Sequence, residues 1–164
     1  MDRALDSLSS DFRPLVDRLL AKLVERGVMV MICQTSRTPD EAAANLANGT
    51  SATSHSKHLP RKLRGVGLGM TGTPDDDKAD AIDLCPYDVY QLVGPDKLQW
   101  TDDVKGHPAF AVIQDVGETL AMRSGAPWKA PHDPGHLEFL FPGERHADIP
   151  TTSAAFPDHG VVSS

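Results

Sequence analysis

Leu15, Val16, Leu19, Leu20, Leu23 and Val24 recur at helical spacing, with Asp17, Arg18, Lys22 and Glu25 between them. This alternation predicts an amphipathic helix with one apolar stripe. Ser9 or Ser10 is placed to cap its start, and Gly27 to end it. Pro14 falls in the first turn, where its missing N–H costs nothing. The unbroken apolar run Val28–Cys33 then predicts a buried strand. Thr38, Pro39 and Glu41 supply a cap, a proline at the first helical position and a capping-box acid. They predict a short helix through Ala47 that stops at Asn48-Gly49. Ala81–Cys85 reads as a second strand, ended by Pro86. Pro108 opens a third helix, with Phe110, Ile113, Val116 and Leu120 inward and an end near Gly125. Leu137–Phe141 reads as a third strand, with His136 at its start.

Between these elements, Thr50 to Asp80 reads as loop: Ser/Thr first, then basic and glycine-rich, then the acidic run Asp75–Asp77. Such a long irregular segment inside a compact domain marks function or mobility. The chain after about residue 143 is polar and Pro-containing and reads as a loose tail. No repeat or domain boundary is visible. The order of elements predicts one α+β domain over residues 1–164, with a small, largely antiparallel sheet and flanking helices.

Composition narrows the function classes. Gly and Pro make up about a sixth of the chain, a proportion that suits long ordered loops on a compact scaffold. The formal net charge of −7 argues against nucleic acid or an anionic membrane surface as partner. No run approaches the roughly 18–20 apolar residues of a spanning helix. The start M-D-R-A-L-D-S-L lacks the apolar core of a signal peptide. The expectation is a protein made in the cytoplasm. Cys33 and Cys85 are the only cysteines and read as reduced thiols within strands.

The chemistry concentrates in three short stretches. S-K-H-L-P at Ser56–Pro60, A-I-D-L at Ala81–Leu84 and H-D-P-G-H at His132–His136 offer His58, Asp83 and His136 as metal ligands. Two neutral imidazoles and a carboxylate leave the fourth tetrahedral position on zinc open, as a catalytic site requires. Zinc polarises a carbonyl and acidifies water. Asp133, one turn before His136, is then placed to take a proton from that water and give it to a leaving amine. Arg37, in T-S-R-T, is placed to support a developing oxyanion or a substrate carboxylate. His55 and Asp80 compete as ligands. His58 is preferred because S-K-H-L carries it, and Asp83 because it continues into an apolar strand. His132 reads as a surface or supporting residue. Lys57, Arg61, Lys62 and Arg64 form a basic cluster that reads as a solvated face or a contact for peptide carboxylates. Asp75–Asp77 lacks EF-hand spacing and reads as a solvated acidic loop.

S-K-H-L-P, A-I-D-L-C-P-Y and D-P-G-H-L-E resemble the motifs of the zinc peptidases that include D-Ala-D-Ala carboxypeptidases and the L-alanyl-D-glutamate endopeptidases of phage endolysins. That family shares the fold of the Hedgehog signalling domain. Upstream, S-R-T-P-D-E-A-A-A-N-L-A-N-G-T-S is similar to the family's Arg-Thr segment, helix and turn, so the resemblance runs from about Val28 to Phe141. It implies His58, Asp83 and His136 as zinc ligands, Asp133 as acid/base and Arg37 as electrostatic stabiliser. It also implies Ser56 and Trp128 as cleft residues that meet substrate. The family places its first His and its Asp about seven residues apart, whereas here twenty-five separate them, so Arg61–Lys78 reads as an inserted loop.

The resemblance implies a monomeric peptidoglycan hydrolase with one zinc ion, acting on the cell wall after release or export as a phage or prophage lysin. A D,D-carboxypeptidase or dipeptidase and a non-catalytic metal-binding domain of the same fold are the alternatives.

Overall fold

The computed structural model describes residues 1–51, 56–64, 75–87, 107–128 and 132–144. His55, most of the inserted loop (65–74) and the tail from 145 onward lie outside the described residues. The expected elements form, with shifted ends. Helix α1 spans Arg13–Glu25 with Pro14 in its first turn. Its N-cap residue is Phe12 and no side chain caps it in the usual way. The Ser9 hydroxyl, three positions before the N-cap, instead accepts the N–H of Phe12 itself at 3.2 Å. Gly27 ends the helix with φ +72°, the left-handed conformation glycine adopts at no steric cost. Strand β1 covers Val30–Gln34. Helix α2, Pro39–Ala47, starts with the complete Thr38/Glu41 capping box.

Strand β2 is Ala81–Pro86, buried throughout. Helix α3, Pro108–Thr119, ends well short of Gly125. Ala121 takes φ +58°, and the chain turns there into a strand that periodicity did not reveal, β3 at Met122–Ser124. Three residues are too few for an alternating pattern to show. Strand β4 is His136–Phe139, shorter than expected at its far end.

The four strands form one antiparallel sheet in the order β1-β2-β4-β3. Its two faces differ in chemistry, because side chains alternate along a strand. Ile82, Leu84, Leu137 and Met122 join Phe12, Val16, Leu19 and Leu23 near α1, and Phe110, Ile113 and Val116 of α3, in one apolar core. The opposite face carries Asp83, His136, Glu138 and Arg123, brought abreast by the pairings Asp83↔His136 and Arg123↔Glu138. A register shift in β1 between Ile32 and Gln34 places Gln34 opposite Asp83. Cys33, inside that shift, stands beside Cys85. Contact with the neighbouring thiol and then burial push the Cys33 thiol far up, and neither cysteine is in a disulfide.

The ends of the segment Arg61–Lys78 are pinned together. Arg61 N–H donates to Lys78 O at 2.9 Å and Lys62 N–H to Asp76 O at 3.0 Å. Arg61–Leu63 makes a short 3-10 turn. Among the described residues, no helix is long and apolar enough to cross a membrane.

Candidate metal centre

His58 arrives on the loop before the 3-10 turn, and the backbone after β1 fixes it there. Its Nδ1 lies 3.0 Å from the Thr35 carbonyl. Its own carbonyl accepts the Arg37 N–H at 2.9 Å, and its N–H donates to Ser56 Oγ at 3.3 Å. His136 arrives on β4 after the turn Asp133–Gly135. Two glycines let that turn seat. A Cβ at Gly135 would lie 2.2 Å from Leu84 O, and one at Gly125 would lie 2.5 Å from Asp133 O.

The three expected ligands meet. His58 Nε2 lies 3.1 Å from Asp83 Oδ1 and 3.3 Å from His136 Nδ1, and His136 Nδ1 lies 2.9 Å from Asp83 Oδ1. All three residues are buried, and no other group of three or more such side chains gathers among the described residues. A tetrahedral ion bound at roughly 2.0–2.1 Å has ligand atoms about 3.3 Å apart, close to these edges.

The proton bookkeeping also fits a cation. A carbonyl only accepts, so His58 Nδ1 carries its hydrogen toward Thr35 O and Nε2 is left with a lone pair. His136 Nε2 faces the Glu138 carboxylate at 3.0 Å, so its Nδ1 is the lone pair. With neutral imidazoles, three acceptors would converge with nothing between them. A metal ion resolves this, and in its absence a proton does. Burial opposes a charge on His136, and the Asp83 and Glu138 carboxylates outweigh it, raising its pKa to about 10. The same imidazoles hold Asp83 far below the usual carboxylate range despite its burial.

Asp133 is half-buried. Burial and then the Asp83 charge push its carboxyl up, while His136, His58 and Arg37 act in the opposite sense. Arg37 is held by Gln34, whose Oε1 accepts from Nε at 3.1 Å and also from Nη2. Arg37 Nη1 reaches Ser56 Oγ at 3.4 Å. The Ser56 hydroxyl is thus buried between Arg37 and the His58 backbone. The Trp128 ring packs on His136 with centroids 5.0 Å apart, and its buried indole N–H has no partner among the described residues. His132 is half-buried and outside the ligand triangle.

Asp80, the rival ligand, is spent elsewhere. Its carboxylate accepts from Arg61 at 2.8 and 2.9 Å, from Arg64 and from Ser9. The expected basic cluster is therefore neither a solvated face nor a cleft lining. Arg61 and Arg64 enclose Asp80, and Lys57 is buried with its ammonium 2.7 Å from Phe139 O. Of these four cations Lys62 alone is exposed, and it pairs with Asp77. Asp75, the first of the acidic run, is buried and accepts from Ser10 and Arg61.

Sequence reasoning missed Gln34 and Glu138, and read Lys57 only as one of a basic cluster rather than as a buried partner of Glu138. Glu138 stands two positions after His136, and that spacing in a strand is the one signal that could have placed it on the same face.

No family model matches the chain, and no curated protein sequence matches it. Its fold is similar to that of the crystal structure of Serratia marcescens L-Ala D-Glu endopeptidase ChiX, at 16% sequence identity and a TM-score of 0.54. The similarity covers 84% of each chain.

Proposed function

We propose that this chain is a zinc-dependent peptidase that hydrolyses peptide bonds in the stem peptides of bacterial peptidoglycan, in the setting of a phage or prophage lysin. The observation that carries the proposal is the triangle of His58 Nε2, Asp83 Oδ1 and His136 Nδ1. It sits on a fold similar to that of a protein titled an L-Ala D-Glu endopeptidase. The donor set of two imidazoles and one carboxylate fits zinc with one position left open. When bound, zinc supplies Lewis-acid polarisation of a carbonyl and acidifies water near neutral pH.

The chain's own residues do the rest. Asp133 takes up the proton that attacking water loses and delivers it to the leaving amine nitrogen. Its raised pKa supports that role, since a carboxyl pushed up by burial holds a proton nearer neutrality. Arg37, oriented by Gln34, supports negative charge growing on the carbonyl oxygen. Trp128 walls the site beside His136 and has an indole N–H to offer a substrate acceptor.

The test is digestion of purified sacculi, with mass spectrometry of the released fragments. Wild type loaded with zinc is expected to cut between L-Ala and D-Glu, and chelated protein or Asp133→Ala to release nothing above background. Removal of terminal D-Ala alone would replace this reading with that of a D,D-carboxypeptidase. Release of no fragment of either kind would overturn both.

A further inference from the structure

We propose that Glu138, gripped by Lys57 and Arg123, is the positioning residue that fixes His136 with Nδ1 toward the metal position. The inference rests on the metal-site reading above and deepens it.

An imidazole on a strand can turn about its Cβ–Cγ bond and offer either nitrogen. Glu138 removes that freedom. It lies two positions along β4 and so shares the face of His136. Its Oε2 stands 3.0 Å from His136 Nε2, and a carboxylate can only accept there. The hydrogen is therefore on Nε2, and the lone pair on Nδ1 points to Asp83 and His58.

The carboxylate's two oxygens divide the work. Oε2 takes the imidazole, while Oε1 takes Arg123, its cross-strand partner, and lies 3.5 Å from Lys57 Nζ. Glu138 is 2% exposed, so water does not compete for either oxygen. Lys57 is 4% exposed and directly precedes His58. Its ammonium also bonds Phe139 O at 2.7 Å and Glu144 at 2.5 Å. One cation therefore ties the loop bearing the first imidazole to the strand bearing the last. Glu138 links the two ligand segments as well as orienting one ring.

The test compares wild type, Glu138→Gln and Glu138→Ala by zinc affinity, using a competing chelator. It adds the nitrogen-15 spectrum of the His136 ring. Wild type is expected to show a ring protonated at Nε2 and metal-bound at Nδ1. Both variants are expected to lose about tenfold to a hundredfold in zinc affinity, and Glu138→Ala to show a mixed population of ring tautomers. Folded variants that bind zinc within twofold of wild type would overturn the proposal while leaving the metal site standing. If neither variant folds, the wild-type ring decides. Metal on Nε2 overturns the proposal, and metal on Nδ1 with a strongly hydrogen-bonded Nε2–H upholds it. Failure of wild type to bind zinc would instead sink the metal-site reading.

Discussion

Asp80 and Asp83 are two buried carboxylates three residues apart, one just before β2 and one within it, and they have opposite surroundings. Asp80 is completely buried, closed in by Arg61, Arg64 and the Ser9 hydroxyl. Its charge is neutralised with good geometry, and burial is more than offset by these partners, so its pKa is lowered. Nothing is left for a ligand. Asp83 faces two imidazoles whose outer nitrogens are already committed to Thr35 O and Glu138. Its oxygen points at lone pairs, so the arrangement is incomplete without a cation. The contrast separates a structural carboxylate from a candidate ligand by whether its partners already bring the positive charge.

The largest effects should come from exchanging these roles. Asp83→Ala is expected to abolish stoichiometric zinc binding while leaving a folded protein, because Glu138 remains to neutralise a protonated His136. Asp80→Ala should do the reverse. It strands the buried Arg64 guanidinium and takes the buried partner from Arg61, and is expected to cost about 3–5 kcal/mol in urea unfolding. A folded remainder of that variant should still bind zinc. Zinc binding that survives Asp83→Ala but not Asp80→Ala would invert the comparison.

Asp133→Ala tests the proposed acid/base next to the triangle. Hydrolysis should fall by about 10²–10⁴-fold with zinc affinity nearly unchanged, measured by turnover on a stem peptide and chelator competition on one preparation. Equal losses in both would make Asp133 a ligand instead.

Protons sharpen the contrast further. In the metal-free protein His136 has its pKa raised to about 10 from an ordinary 6.5. Its contribution to metal-free stability is therefore fully present below about pH 6.5 and is lost as pH rises through 10. Metal must displace that proton. At about pH 7.5, zinc uptake should release close to one proton from His136, read by calorimetry in buffers of different protonation enthalpy. No proton release would contradict the assigned ring states.

The smallest effect belongs to Lys62, the cation left outside the Asp80 cluster. Its pair with Asp77 is about half-exposed on the lysine side and more so on the aspartate side. Lys62→Ala should change stability by less than about 1 kcal/mol, with no effect on zinc binding. A larger loss would mean the base of the Arg61–Lys78 segment is more tightly coupled to the site than its hydrogen bonds indicate.

Much of this architecture is legible in the sequence, for identifiable reasons. α1, α2 and β2 announce themselves through periodicity, a capping box and an apolar run closed by proline. The candidate ligands are legible because A-I-D opens an apolar strand, D-P-G-H leads into another, and S-K-H stands out in the loop ahead of both. The basic cluster is misleading because charge runs look alike whether solvated or buried. Only tertiary packing reveals that Arg61 and Arg64 turn inward to Asp80. β3 is too short for a pattern, and the β1 irregularity that aligns Gln34 with Asp83 leaves no mark in composition. Glu138 is hidden for another reason: its importance depends on which nitrogen of His136 is free, which no spacing encodes.

The central claim is that the open carboxylate, not the closed one, binds the ion. A zinc-bound crystal structure with anomalous scattering tests it most directly. The ion is predicted at about 2.0–2.2 Å from His58 Nε2, Asp83 Oδ1 and His136 Nδ1, with the Asp80 cluster undisturbed. An ion bound through Asp80 or His55, or through His136 Nε2, would contradict the account.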